Sequence, residues 1–231
     1  MEPLQNFLSP RYKAGSLHQY KLRQKIAEHI EGSIKGCAGR IVDIGCGSQP
    51  YRSLVLKPTG PCTDYVGVDL KGVVTPPDIV WDGWTLSLPD SSFDVALCTE
   101  VIEHTPDPQR IIDESFRILK PKGLLIATTP FFWVLHEVPS DYQRLTPFQL
   151  HRMLQEAGFT EITITALGGF DASLAQMIGL WIELRPMKKI SRYLCQIFLG
   201  PIVWILNAID RAPDATSRWT MFTGFAVTAK K

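Results

Sequence analysis

An α/β fold, with a mostly parallel sheet of seven strands, helices on both faces and a helical insertion before the last strand, is what this 231-residue sequence predicts. Three observations lead to it. Short β-branched runs alternate with amphipathic stretches through residues 40–129, the signature of successive βαβ units. The first run, R-I-V-D-I at 40–44, stops at an acid and opens into Gly45-Cys46-Gly47. A second run, D-Y-V-G-V-D-L at 64–70, ends on Asp69, 22 positions beyond Gly47.

A strand that ends in G-x-G is a candidate nucleoside cradle, because glycine tolerates positive φ and lets the backbone approach a ligand. An acid about 20 residues further on can accept both hydroxyls of a ribose. Ser48, Gln49 and Pro50 follow Gly47, so the third glycine of a dinucleotide fingerprint is absent. A nucleoside without a pyrophosphate fits better, which disfavours the rival reading of an NAD-dependent oxidoreductase.

The remaining elements follow in order. Residues 1–14, with Pro3 and Pro10, read as an irregular arm, and Leu17, Tyr20, Ile26, Ala27, Ile30 and Ile34 recur at helical spacing until Gly36 and Gly39. Residues 50–56 suit a short helix before the turn-rich stretch at 57–63. Strands are expected at 78–81, 93–99 and 124–129. Between the last two, Asp107-Pro108 opens a helix with Ile111, Ile112, Phe116, Ile118 and Leu119 on its buried face, stopped by Lys120, Pro121 and Gly123. The loop 130–144 leaves the carboxyl end of a central strand and is rich in aromatics. Thr146-Pro147-Phe148-Gln149 has capping-box form, and its helix stops at Gly158. Strands at 162–166 and 224–229 complete the sheet.

More than 50 residues separate those last two strands. Leu174, Ile178, Trp181 and Ile182 fall on one helical face, a basic stretch holds Arg185, Lys188, Lys189 and Arg192, and an apolar run at 194–209 is interrupted at Gly200-Pro201. That run is too short and too broken to span a bilayer comfortably. It suits either a membrane interface, with the cations on anionic lipid, or a helical hairpin packed on the domain or on a second copy. The expected division is an N-terminal arm and helix at 1–36, a nucleoside-binding domain at 37–170, the insertion at 171–221 and a final strand at 222–231.

Composition bounds the function. Lys and Arg number 24 against 23 Asp and Glu, so no strongly basic face argues for nucleic acid. Five scattered cysteines without a C-x-x-C pair, and an amino-terminal segment without an apolar core, point to reduced thiols and a cytoplasmic location. No His/Cys cluster has metal-ligand spacing, so no metal is expected.

The motifs taken together, Asp43-x-Gly45-x-Gly47, Asp69, a strand ending at Glu100, V-I-E-H at 101–104, then a helix and a K-P-x-G turn, resemble the class I S-adenosylmethionine-dependent methyltransferases over residues 38–166. Within them the chain is similar to the broad group that includes quinone-biosynthesis and glycan-modifying members. Gln49 stands where that family usually has a further glycine. The resemblance implies a Rossmann-like domain, S-adenosyl-L-methionine as cofactor, and methyl transfer, by O-methylation, to a small-molecule, glycan or lipid-like acceptor. It implies cofactor contacts from Asp43, Gly45, Cys46, Gly47, Asp69, Leu70, Thr99 and Glu100, with Asp82 and Gly83 near the adenine. Asp82 reads equally well as a turn aspartate. The first helix is either a lid over the cofactor, using Tyr12 or Tyr20, or a helix packed on the sheet.

Methyl transfer from a sulfonium is an in-line displacement, so the protein must align the acceptor and, for a hydroxyl, remove its proton. His136 is the candidate base, its alternative a structural bond to Asp141 or a carbonyl. His104 reads as a loop-fixing residue. Tyr12, Trp133, Tyr142 and Arg144 are candidate acceptor contacts, and Arg144 could instead pair with Asp141. The expected partners are the acceptor and, through residues 171–210, a membrane surface or a second copy. A non-catalytic subunit that binds the cofactor and docks through the insertion is the rival of another class.

Overall fold

A computed structural model describes residue 8 and residues 10–57, 62–73 and 75–231. Pro3 and most of the turn at 57–63 lie outside the described residues. The strands are β1 (Gly39–Ile44), β2 (Cys62–Leu70), β3 (Ile79–Trp81), β4 (Phe93–Thr99), β5 (Leu119–Pro130), β6 (Thr160–Ala166) and β7 (Gly224–Lys230). They form one sheet in the order β3-β2-β1-β4-β5-β7-β6, in which β7 alone runs antiparallel to its neighbours β5 and β6. The helices are α1 (Tyr20–Ile34), the single turn α2 (Arg52–Val55), α3 (Pro108–Ile118), α4 (Pro147–Ala157), α5 (Phe170–Leu184) and α6 (Lys189–Ile209).

The two faces of the sheet are covered differently because alternate strand residues point to opposite sides. Ile41, Val95, Leu97 and Ile126 pack under Leu22, Ile26, Ile30 and Ile34 of α1. Val42, Ile44, Ala96, Cys98 and Leu125 pack against α3 and α4 through Ile111, Ile112, Leu150 and Met153. Both of these helices start as the sequence predicts. Asp107 accepts from the backbone N–H groups of Gln109 and Arg110 ahead of Pro108, and Thr146 accepts from Gln149 N ahead of Pro147. Gly158, at φ 100°, ends α4.

Four expectations are corrected. Lys120, Pro121 and Gly123 do not form a turn between α3 and β5; the strand starts at Leu119, which pairs with Phe93, and a register irregularity absorbs the extra residues. Leu17 does not belong to the apolar stripe of α1, which begins at Leu22, but packs with Ala175, Ile182 and Val203 of the insertion. On α5 the inward face carries Ala172, Ala175, Gly179, Leu180 and Ile182, whereas Leu174 and Trp181 are exposed. Small residues face inward because the chain at Leu17-His18 passes so close that a Cβ at Gly179 would sit 2.6 Å from His18 N. Finally, α6 runs unbroken through Gly200-Pro201. Its loss at Pro201 is confined to one intrahelical donor, and the absent side chain of Gly200 leaves room for the Tyr12 hydroxyl to donate to its carbonyl.

The strand order reverses between β1 and β4, since the chain moves outward to β2 and β3 on one side and to β5 on the other. Crevices at such a reversal, beyond the carboxyl ends of the strands, are where open α/β sheets hold ligands.

Candidate active site

The loop after β1 turns back over the sheet. Gly45 (φ 69°) and Gly47 (φ 51°) adopt the left-handed conformation, and Gly45 N and Cys46 N both donate to Val68 O, at 2.8 and 3.1 Å. A Cβ at Gly45 would lie 2.3 Å from Val101 Cγ2. At Gly47 it would meet nothing within 4 Å. The space above Gly47 is therefore open, and Asp69 borders it: its Oδ2 accepts from Gly47 N at 2.6 Å and its Oδ1 from Leu70 N at 2.7 Å. The two half-sites read from the sequence meet directly. Each carboxylate oxygen keeps a second lone pair for a ligand hydroxyl. Leu70 and Gly83 close one side, with Leu70 Cδ2 3.7 Å from the Cβ position of Gly83.

Asp43 lies beneath this loop, 1% exposed, accepting from the Tyr65 hydroxyl through Oδ2 while Oδ1 has no partner. Burial pushes its carboxyl up to about 7, against the opposing effect of the Tyr65 hydrogen bond. An unpartnered buried oxygen under an open cradle fits a ligand that brings a donor or a cation. Cys46 is buried, its thiol pushed up to about 12 by desolvation and the neighbouring carboxylates, which makes it an inert packing group. Asp82 makes the turn that the sequence allowed as its alternative, Oδ1 accepting from Trp84 N at 2.7 Å and Thr85 N at 2.8 Å.

At the end of β4, Thr99 is buried and Glu100 takes a left-handed φ of 55° while its N–H donates to Thr128 O at 3.0 Å. Such backbone strain in a non-glycine residue persists where surrounding structure enforces it, commonly at functional sites. Desolvation raises the Glu100 carboxyl to about 7. Glu100 lies on the wall of an open cleft, together with Leu22, Arg23 and Ile26 of α1, Tyr51, His104, Trp133 and His136. One stripe of α1 packs on the sheet, the second of the two readings, and Leu22, Arg23 and Ile26 of its amino-terminal half also line the cleft, whereas Tyr12 and Tyr20 do not.

His136 is held by Asp141, whose Oδ2 accepts from His136 N at 3.1 Å and lies 3.2 Å from Nδ1. Arg144 clamps the same carboxylate from the other side with bonds of 2.6 and 2.8 Å, and this pair holds Asp141 well below the usual carboxylate range. The His136 ring meets His104 edge-on at 4.6 Å between centroids. Of the four candidate acceptor contacts, Trp133 reaches the cleft. Arg144 is committed to Asp141, Tyr142 is 52% exposed outside the cleft wall, and Tyr12 packs against Tyr20 and α6. Sequence reading missed Arg23, Tyr51 and Glu103. The last lies in the quoted V-I-E-H run yet is wholly buried, a property no local pattern announces.

A family model described as a methyltransferase domain matches residues 17–164. The chain belongs to the class I S-adenosylmethionine-dependent methyltransferases. The cofactor of that family is S-adenosylmethionine, and the open cradle at Gly47, the Asp69 carboxylate and the free Asp43 oxygen are residues that fit it. Among curated relatives, the methyltransferase domain is similar to a ubiquinone biosynthesis O-methyltransferase of Psychrobacter arcticus, 33% identical over 32% of this chain and 36% of that protein. It is also similar to the 2-methyl-6-phytyl-1,4-hydroquinone methyltransferase of Synechocystis, 32% identical over 37% of this chain and 30% of that one. The matched stretch spans about a third of these relatives' length. Of solved structures, Haemonchus contortus phosphoethanolamine N-methyltransferase 2 shares the fold at TM-score 0.56 and 15% identity, over 100% of this chain and 61% of that one. The [4+2]-cyclase SpnF shares it at TM-score 0.56 and 22% identity, over 92% and 81%. Domains of this shape thus occur under names of different chemistry, so the acceptor must be argued from the cleft.

Proposed function

We propose that the protein transfers the methyl group of S-adenosylmethionine to a hydroxyl oxygen of a small-molecule, glycan or lipid-like acceptor, with the hydroxyl activated at His136. The observation that carries this reading is the Asp141–His136 pair on the cleft wall. With Nδ1–H donated to the carboxylate, Nε2 is the ring atom left to meet an acceptor proton. S-adenosylmethionine, when bound, supplies a methyl on cationic sulfur and departs as a neutral thioether, so the protein has no leaving group to create. Asp69 and the Gly47 backbone hold the ribose end, Asp43 supports the loop from below, and Glu100 and Tyr51 line the same cleft as His136. Trp133 offers an aromatic face to a ring or an alkyl chain. The names of the Psychrobacter and Synechocystis relatives, for ubiquinone biosynthesis and a phytyl hydroquinone, support a lipid-like hydroxyl acceptor.

A cytoplasmic enzyme, peripheral at the inner membrane face, is the setting this reading favours. α6 is long and apolar enough to cross a membrane, but Gly200, Val203 and Asn207 are buried and the helix lies along α5, so it is held to the domain. Leu194, Phe198, Ile202, Trp204 and Ile205 are exposed. Arg185, Lys188 and Lys189 are exposed at the hairpin turn, a combination suited to anionic lipid. Arg192 does a structural task instead, donating to Ile182 O and Arg185 O at the end of α5.

Incubating the protein with methyl-labelled S-adenosylmethionine and a cell extract tests the reading. Label is expected in a lipid or small-molecule fraction, and His136→Ala should lower turnover by about 10²–10⁴-fold with cofactor affinity unchanged. Cofactor binding with no labelled product in any fraction would favour the non-catalytic subunit instead.

A further inference from the structure

We propose that Glu103, His104 and His136 form a binding site for one divalent transition-metal ion where the two histidines line the cleft, with coordination positions left open for an acceptor oxygen. One ligand atom from each of the three lies within 4.8 Å of the others. Atoms bound to a common ion at about 2.0–2.2 Å lie about 3.0–3.6 Å apart at octahedral or tetrahedral angles, so the side chains need to draw in by about 1–2 Å at most. His104 Nε2 is already 3.7 Å from Glu103 Oε1.

Two independent observations point to a cation here. Glu103 is 0% exposed, and neither of its carboxylate oxygens has a hydrogen-bond partner among the described residues. A buried carboxylate in that state is costly unless something positive meets it. The second observation concerns the far side of each imidazole. His104 Nδ1 sits 2.7 Å from Ser140 O and His136 Nδ1 sits 3.2 Å from Asp141 Oδ2. A carbonyl and a carboxylate both require a donor, so both rings carry the proton on Nδ1 and present a bare Nε2 lone pair. This is the outer arrangement that orients metal-ligating histidines. The surrounding charges are Glu100 and Asp141, both acidic, and Arg144 and Arg23, both basic; Arg144 is committed to Asp141.

Two imidazoles and one carboxylate suit Mn²⁺, Fe²⁺, Co²⁺ or Zn²⁺ better than a purely oxygen-seeking ion, and leave at least one position free. On the methyltransferase reading, on which this role but not the site itself rests, an ion held by Glu103, His104 and His136 would bind the acceptor hydroxyl and lower its pKa. The proton would then pass to solvent water, so that His136 activates the hydroxyl through the ion when the ion is held and as the base when it is not. Sequence spacing conceals the site, since His136 stands 32 positions from His104.

The test is titration of the untagged, chelator-treated full chain with MnCl₂ and CoCl₂, followed by calorimetry and visible absorption. One equivalent should bind more tightly than about 1 mM, with cobalt ligand-field bands. Glu103→Gln and His136→Gln should weaken binding at least about ten-fold, and His151→Gln, exposed on α4, should not. Broadening of the His104 and His136 imidazole signals by Mn²⁺ reads the same site without any variant. S-adenosylhomocysteine affinity, measured on the same samples without metal, keeps failure of the metal site separate from failure of the cofactor site. Absence of saturable binding, or affinity unchanged by both variants, overturns the proposal.

Discussion

Gly45 and Gly47 share a backbone conformation but should fail differently when given a side chain. At Gly45 a methyl group would collide with Val101, so Gly45→Ala should lower stability by about 1–3 kcal/mol in denaturant titration. At Gly47 the methyl enters open space, so Gly47→Ala should cost only the strain of a left-handed alanine, about 1–2 kcal/mol, and lose S-adenosylhomocysteine affinity in calorimetry. Asp43 gives a pH signature. Its folded carboxyl, pushed up to about 7, exceeds the ordinary value of 3.8, so the folded state binds the extra proton between those limits. Stability is then fullest below pH 4 as far as this group is concerned, and falls as pH rises through 7, by at most about 4 kcal/mol. Thermal unfolding of wild type from pH 5 to pH 8 should show this decline, and Asp43→Asn should reduce it, leaving the part due to Glu100, whose carboxyl burial also raises to about 7. At this scale the sequence disclosed Asp43, Gly45, Gly47 and Asp69 because each is tied to a short-range strand-and-turn pattern. It hid Glu103 because burial of a carboxylate depends on chain segments far away, here the 130–144 loop that folds over it.

Helix starts were legible for α3 and α4 because capping is local chemistry. Removing the Asp107 carboxylate with Asp107→Ala should therefore cost about 1 kcal/mol, read as a lower denaturation midpoint. Faces of helices were less legible, since which stripe turns inward is chosen by neighbours. On α5 the bulky stripe of Leu174 and Trp181 lost to the small-residue stripe at Ala175 and Gly179 because the arm at Leu17-His18 needs close approach. The exposed apolar side of the α5–α6 hairpin then carries the membrane proposal. Flotation with anionic vesicles at low salt should recover wild type, and Phe198→Glu with Trp204→Glu should abolish recovery without shifting the unfolding midpoint, because both side chains are more than half exposed. Wild type that stays at the bottom of the gradient would remove the membrane reading.

Across the whole molecule, the parallel half of the sheet was evident from alternating β-branched and amphipathic runs. The antiparallel insertion of β7 between β5 and β6 was not, because pairing across more than 50 intervening residues leaves no local trace. That arrangement matters for the site: β7 locks β5 in place, and the 130–144 loop that carries Trp133 and His136 emerges from the end of β5. The strand reversal beside β1 and β4 brings the Gly45–Gly47 bend and Asp69 to one side of the crevice and Glu100 to the other. The claim on which the rest depends is that the first two hold an adenosyl ligand together. Calorimetric titration of the full chain with S-adenosylhomocysteine, with Asp69→Ala alongside, measures it most directly. One bound equivalent, weakened at least about ten-fold by the substitution, is the result expected; binding that ignores the loss of Asp69, or binding of NAD with none of S-adenosylhomocysteine, would contradict it.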